Sequence, residues 1–327
     1  MSEPLRARTV PVPVGRPSFL DVPRCDRLEA LDADVAIVAF PYTVPYTVEW
    51  SRQPSSWAPG AIREASLRYP AFLGHHDMDF GAELFAGRRV RIIDCGDVFE
   101  VAGRYEDNGR MATAVIKEIL ARGAVPIVLG GDHATTIPMM RAYDGRGPLC
   151  VVHIDAHLDW RDEVNGVHDG LSSPMRRASE LPWVTSMIQI GLRAVGSARK
   201  QEVDDAAAFG SIRVRAEELH RVGVEEILRR VPDAATYYIS LDTDAIDPAI
   251  APGINALEFG GLTYFEVSNL LRGIAGKGRI VGFDVVEIAP GKDHQNITSL
   301  LAARLTLNLL GAMAHGGQIG SDTARWV

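Results

Sequence analysis

The sequence predicts an α/β protein, a three-layer α/β/α sandwich around a mainly parallel sheet. Short apolar runs rich in Val and Ile recur along the chain without the polar alternation of a half-exposed strand, which marks strands buried on both faces. Stretches of helical pattern lie between most of them, and strand alternating with helix is the signature of parallel pairing with crossover helices. The apolar rhythm runs from about residue 34 to residue 315 with no Ser/Gly/Pro-rich linker, repeat or low-complexity tract, which favours one domain over residues 1–327.

The strands expected on this basis are 34–39 (DVAIVA), 90–95 (VRIIDC), 124–129 (AVPIVL), 149–154 (LCVVHI), 185–191, 236–241 (TYYISL) and 279–286 (RIVGFDVV). The helices expected are 59–69, 106–122, 133–143, 197–209, 216–230, 263–274 and 297–314, several opened by Asn, Thr or Ser in a capping position. Residues 1–33 read as an N-terminal extension that packs on the surface or in an oligomer. With 46% hydrophobic and 23% charged residues, 327 residues can bury a large core without disulfides.

The net charge of −8, with Lys and Arg scattered instead of forming a stripe, argues against a nucleic-acid partner. No uninterrupted apolar run approaches the ~20 residues that cross a bilayer, and the first residues lack the apolar core of a signal peptide, so no membrane partner and a cytoplasmic location are expected. Cys25, Cys95 and Cys150 read as reduced, buried thiols.

In an open parallel sheet, ligands bind beyond the carboxyl ends of the strands. Three clusters fall there. Gly130-Gly131-Asp132-His133-Ala134-Thr135-Thr136 follows AVPIVL, and the paired glycines permit a tight turn that aims His133 into the crevice, although a structural turn with a capping Asp or His is an equal reading of this cluster alone. Asp155-Ala156-His157-Leu158-Asp159 ends LCVVHI, and alternation in an extended segment sends Asp155, His157 and Asp159 to one side. Carboxylates and an imidazole packed on one face need a cation to offset their desolvation. Asp242-Thr243-Asp244 repeats the acidic pattern after TYYISL. Two histidines and four aspartates are too many for one structural zinc and suit two divalent ions. Oxygen-rich ligation with some imidazole fits Mn²⁺ best, with Ni²⁺, Co²⁺ or Fe²⁺ as alternatives. Two ions ~3.5–4 Å apart can hold a bridging hydroxide near neutral pH.

As a set, GGDHATT, VVHIDAHLDW, SLDTDAIDPAIAPG and VGFDVVEIAP, in this order and at these intervals, resemble the ureohydrolase family of arginase, agmatinase, guanidinobutyrase and formiminoglutamase, over roughly residues 34–315. The resemblance implies an arginase-like fold and two Mn²⁺ per chain. It implies one ion held by His133, Asp155, Asp159 and Asp242, and another held by His157, Asp155, Asp242 and Asp244, with Asp155 and Asp242 bridging. It gives Glu287 the role of binding the guanidinium, a sensible match because a carboxylate accepts two hydrogen bonds from a planar diamino cation. Asp284 is a candidate support, and His153 reads as a packed, hydrogen-bonded histidine instead of a ligand. A homotrimer or homohexamer is what the family implies for assembly.

Two segments depart from the family pattern. Agmatinase-like members carry His-Gly-Thr-Pro before an aromatic or Met and two Arg, whereas this chain reads Gly166-Val167-His168-Asp169-Gly170-Leu171-Ser172-Ser173-Pro174-Met175-Arg176-Arg177. Anchoring on Pro-Met-Arg-Arg puts Leu171 at the proton-shuttle position; a loop three residues longer puts His168 there, and His168 is favoured because imidazole passes protons well near pH 7. The substrate loop lacks the usual glycines and arginines and reads PYTVPYTVEWSRQPSSWAPG from Pro41. Its aromatics Tyr46, Trp50 and Trp57, with Trp160, suggest an apolar or cation–π wall, and Glu49, Asp162, Glu163 and Asp169 suggest attraction for a cation.

The expected activity is therefore amidinohydrolysis of a small cationic guanidino compound such as agmatine, releasing urea or a urea-like product. Small alkylguanidines or biguanides are the alternative substrates. A catalytically silent subunit of a hetero-oligomer is the alternative from another class. A deacylase is disfavoured by the doubled Asp pattern.

Overall fold

The computed structural model describes residues 6–12, 15–47 and 54–322. Trp50 and Glu49 lie outside the described residues. The central sheet has nine strands: β1 Thr9–Val10, β2 Val35–Phe40, β3 Ile92–Val98, β4 Val125–Gly130, β5 Leu149–Ile154, β6 Val184–Leu192, β7 Ile212–Arg215, β8 Thr236–Asp242 and β9 Arg279–Val286. They lie in the order β1-β3-β2-β4-β9-β8-β5-β6-β7, and all pair in parallel except β1, which is antiparallel to β3. The helices are α1 Ala58–Ser66, α2 Tyr105–Ala121, α3 Thr136–Arg141, α4 Pro174–Ser179, α5 Lys200–Phe209, α6 Ala216–Val222, α7 Val224–Arg230, α8 Tyr264–Lys277 and α9 Ile297–His315.

Alternate residues of each strand feed two separate cores, as a strand's twofold side-chain period requires. In β2, Val35, Ile37 and Ala39 face one core while Ala36, Val38 and Phe40 face the other. The first core is closed by α1, α6, α7, α8 and α9 and the second by α2, α3, α4 and α5, so three layers result as the sequence predicts. Among the described residues one helix, His294–His315, is long and apolar enough to cross a membrane, but 72% of its apolar window is buried inside the protein, the condition of a core helix.

Three differences from the sequence reading have local causes. The helix expected over 216–230 is two, because Gly223 adopts φ 81° and breaks the run between Val222 and Val224. Part of the 1–33 extension belongs to the sheet and core: β1 pairs with β3, while Phe19 and Leu20 are buried and Phe19 N–H donates to Asp94 at 2.9 Å. Cys95 and Cys150 are free and buried as expected, but Cys25 is only half-buried.

Candidate metal centre

Four adjacent strands at the middle of the sheet, in the order β4-β9-β8-β5, release their carboxyl ends into one crevice. Their registers fix which residues meet there. Leu241 lies beside Ile154 and Asp242 beside Val286, so Asp155 and Glu287, each one residue further on, emerge level with the Asp242–Asp244 turn. Leu129 lies beside Val285, and the Glu287 N–H donates to Gly131 C=O at 2.9 Å, which brings His133 to the same level.

The glycine pair does its work by close approach. A Cβ on Gly131 would fall 2.0 Å from Tyr42 C=O, and one on Gly130 would fall 2.6 Å from Val286 Cγ1, while neither has positive φ. Asp132 caps the following turn: its buried carboxylate accepts the N–H groups of Ala134 (3.1 Å) and Val44 (2.7 Å), tying the metal-side turn to the substrate loop. The segment 155–159 is not the extended strand expected from its alternation; β5 ends at Ile154 and Asp159 takes φ 57°. That left-handed residue still turns Asp159 back towards His133.

All six residues singled out by sequence come together. His133 Nδ1 lies 3.0 Å from Asp155 Oδ2, 3.1 Å from Asp159 Oδ2 and 3.1 Å from Asp242 Oδ2. His157 Nδ1 lies 2.9 Å from Asp244 Oδ2 and 3.5 Å from Asp155 Oδ1. Ligand atoms of His133, His153, Asp155 and Asp159 fall within 4.8 Å of one another, as do those of Asp155, His157 and Asp244, so the two groups share Asp155.

Two observations test whether cations fit. His133 Nδ1 and Asp155 Oδ2 are buried with no hydrogen-bond partner, an arrangement that is costly unless something positive sits between them. Behind the ring, Ser240 Oγ donates its single proton to Asp284 Oδ1 at 2.7 Å and so accepts from His133 Nε2 at 2.9 Å. Thr136 Oγ1 (3.0 Å) and Tyr238 OH (2.5 Å) donate to the other oxygen of Asp284. The neutral ring therefore carries its proton on Nε2 and turns its Nδ1 lone pair to the carboxylates, the arrangement that metal-ligating histidines adopt. The buried His/Asp cluster is a binuclear metal-binding site.

The electrostatics say the same. Burial opposes charging His133, but Asp155, Asp159 and Asp242 outweigh it and raise its pKa well above the ordinary value. His157, likewise opposed by burial, is raised to about 12 by Asp155 and Asp244. Burial pushes the Asp244 carboxyl up to about 6, with Asp155 adding to it, and burial with Asp244 and Asp155 raises Asp242 well above its usual range. Asp155 is held well below that range although burial opposes it, because His153, His133 and His157 surround it. Without a metal the two imidazolium charges hold the carboxylates together, where two divalent ions would do so more strongly.

Glu287 follows β9 with φ 67°, a left-handed conformation that costs on the order of 1–3 kcal/mol in a non-glycine residue. Its Oε1 accepts the His133 N–H at 2.8 Å, and burial, with Asp132 nearby, raises its carboxyl to about 8. His168 lies on the exposed loop after β5, its Nδ1 3.1 Å from Asp162 C=O, and none of its hydrogen bonds or ion pairs is to a ligand carboxylate.

Of the aromatic and acidic residues expected around the substrate, Trp160 is placed differently and several acids already have partners. Trp57 is 70% exposed at the start of α1. Trp160 is buried and donates its indole N–H to Gln189 at 2.9 Å, so it is core and not wall. Tyr46 clasps the other loop: its OH accepts Ser172 N–H at 2.8 Å, and a Cβ on Gly170 would fall 2.1 Å from its ring. Asp162 and Asp169 are ion-paired with Arg177 (2.6 Å) and Arg141 (2.5 Å), and Glu163 accepts the Gly166 N–H, so these acids are less available to a cation than their charge suggests.

Arg193 carries no signal in the sequence, yet it underpins this site. Its five N–H groups are directed at five backbone carbonyls: Nε at Phe259, one amino group at Gly191 and Ala245, the other at Asp244 and Glu258, at 2.6–3.2 Å. Ser240 and Gln189 are likewise unmarked except as polar residues inside apolar strands.

Residues 33–311 match the model of the arginase family. The chain is 32% identical over 325 residues to guanidinopropionase of Pseudomonas aeruginosa, covering 96% of each chain, and 33% identical to mitochondrial agmatinase of Gallus gallus, covering 94% of this chain and 88% of that one. Its fold is similar to that of proclavaminate amidino hydrolase from Streptomyces clavuligerus, with a TM-score of 0.76 at 29% identity, over 91% of this chain and 97% of the other. With the α/β/α fold and the paired His/Asp groups, these findings place the chain in the arginase family, as an enzyme acting on guanidino C–N bonds.

Proposed function

We propose that the chain is a binuclear metal-dependent amidinohydrolase that releases urea or a urea-like product from a small cationic guanidino compound, with agmatine the first substrate to test. The observation that carries this is the sharing of Asp155 between two His/Asp groups, beside a half-buried Glu287 anchored to His133. His133, Asp155, Asp159 and Asp242 would hold one ion and His157, Asp155, Asp242 and Asp244 the other, Mn²⁺ in this reading with Ni²⁺ the alternative. Two such ions supply an activated water near neutral pH and Lewis-acid stabilisation of developing negative charge. Glu287 orients the planar guanidinium through charged hydrogen bonds. Asp284, through Ser240, keeps the Nδ1 face of His133 on the site. His168 carries the proton to the departing amine from its loop.

The absence of a carboxylate tail on the substrate is supported by the commitments of the arginines near the site. Among the described residues Arg141, Arg161, Arg176 and Arg177 pair with Asp169, Glu202, Asp205 and Asp162, and Arg193 is directed at carbonyls. Small alkylguanidines and biguanides fit the same argument. A guanidino acid is the second reading, favoured by the likeness to guanidinopropionase. Urea release by metal-reconstituted protein, compared across agmatine, 3-guanidinopropionate, 4-guanidinobutyrate, arginine, methylguanidine and a dimethylbiguanide, tests the choice. A guanidino acid preferred more than tenfold in kcat/KM would overturn the cationic assignment, and no urea from any of them would favour a catalytically silent subunit.

A further inference from the structure

His153 is completely buried on β5, two residues before Asp155, and its Nε2 lies 2.7 Å from Asp155 Oδ2. The two atoms are not aligned as a full hydrogen bond, and neither has another hydrogen bond, although His133 Nδ1 also lies 3.0 Å from Asp155 Oδ2. On distance alone His153 could be a third imidazole ligand or a donor that holds the shared carboxylate. The residues behind it decide between these.

Trp160 Nε1–H can only donate, and it donates to Gln189 Oε1 at 2.9 Å; the Ser211 hydroxyl donates to the same oxygen at 2.9 Å. The Leu158 carbonyl can only accept, and it takes a proton from Gln189 Nε2 at 2.8 Å. The Gln189 amide is thus fixed from both ends, and its other Nε2 proton faces His153 Nδ1 at 3.0 Å. Nδ1 must be the acceptor. The proton of the neutral ring is then on Nε2, where it excludes a metal bond and lies on the nitrogen 2.7 Å from Asp155 Oδ2.

We infer that His153 is a positioning residue whose Nε2–H, fixed in place by Gln189 and Trp160, holds the Asp155 carboxylate that the two metal groups share. The inference rests on the binuclear reading above. A neutral donor on Oδ2 sets the angle at which Asp155 meets both ions, and so the coupling between them, without adding a charge or a ligand. Partners of this kind alter metal affinity by about 10- to 100-fold when removed.

The test is metal binding by the full-length protein, independent of turnover. Wild-type protein and the His153→Phe, Gln189→Met and double variants are titrated with Co²⁺ against a competing chelator, and the cobalt absorption spectrum is recorded at saturation. Each single variant should bind the ions at least about tenfold more weakly. The double variant should be no weaker than His153→Phe, because Gln189 acts through His153. The saturated His153→Phe spectrum should match wild type, and imidazole counting by X-ray absorption on the wild type should give two imidazoles per pair of ions. Three imidazoles, or a changed spectrum in His153→Phe, would make His153 a ligand and overturn the inference. Additive losses in the double variant, or unaltered affinity in His153→Phe, would overturn it equally. Wild-type protein that binds no second ion would instead defeat the binuclear reading, and that outcome is visible before any variant is made. Should His153→Phe fail to fold, the imidazole count on wild type still decides.

Discussion

Replacing Glu287 by Gln separates two jobs that the structure gives to one side chain. Its Oε1 accepts the His133 N–H at 2.8 Å, and a glutamine carbonyl can keep that bond, so the turn bearing His133 and the metal content should survive. What is lost is the negative charge opposite a guanidinium. A charge-assisted, bidentate contact is worth about 1.5–3 kcal/mol, which corresponds to roughly a 10- to 150-fold fall in kcat/KM. Glu287→Ala removes the acceptor as well, orphaning the His133 N–H, so that variant should lose metal in addition to activity. Urea release on Mn²⁺-loaded protein, with metal counted by atomic emission on the same samples, reads both effects. Wild-type kcat/KM in Glu287→Gln, or metal loss equal to that of Glu287→Ala, would refute the reasoning.

Asp155→Ala and Asp242→Ala should each remove more than one of two bound ions, because in the proposed ligand set each carboxylate would serve both; loss of a single ion on metal analysis, or full activity with one zinc, would contradict this. His168→Ala should lower kcat by about 10²-fold with metal content unchanged, and unaltered turnover would assign the proton to another group. In the metal-free chain both ligand imidazoles are protonated at neutral pH, since His157 is raised to about 12 and His133 well above its ordinary value. Metal binding at pH 7 should therefore expel at least about two protons, one from each imidazole, measurable by calorimetry in buffers of different ionisation enthalpy. Affinity should rise with pH, and it should fall most steeply below about 6, where the Asp244 carboxyl also takes up a proton. A pH-independent affinity between 5 and 8 would be inconsistent with this ligand set.

The main strands were legible to within about three residues because most are apolar runs rich in Val and Ile. β7 was not: IRVR alternates charge with apolar residues at a sheet edge and is only four residues long. α4 was hidden by its position inside a loop that departs from the family pattern. The six candidate ligands could be read because each lies within five residues of a strand end, where parallel topology forces convergence. Their supports could not. Ser240, Gln189 and Arg193 act mainly across 36 to 107 positions of sequence, and nothing local marks a Ser in a strand as the partner of His133 or an Arg as the partner of five carbonyls. Trp160 misled for the opposite reason: it has the composition of a pocket wall, but a tertiary hydrogen bond turns it inward.

The commitment of Arg193 has a consequence for how the molecule breathes. The carbonyls of Gly191 at the end of β6, of the Asp244–Ala245 turn and of Glu258–Phe259 all converge on one guanidinium. None can peel away from the group without breaking its bond to that ion and leaving a polar donor unmatched. These three stretches, distant in sequence, therefore form one cooperative unit for local opening. Their amides are expected to exchange with solvent at a common rate.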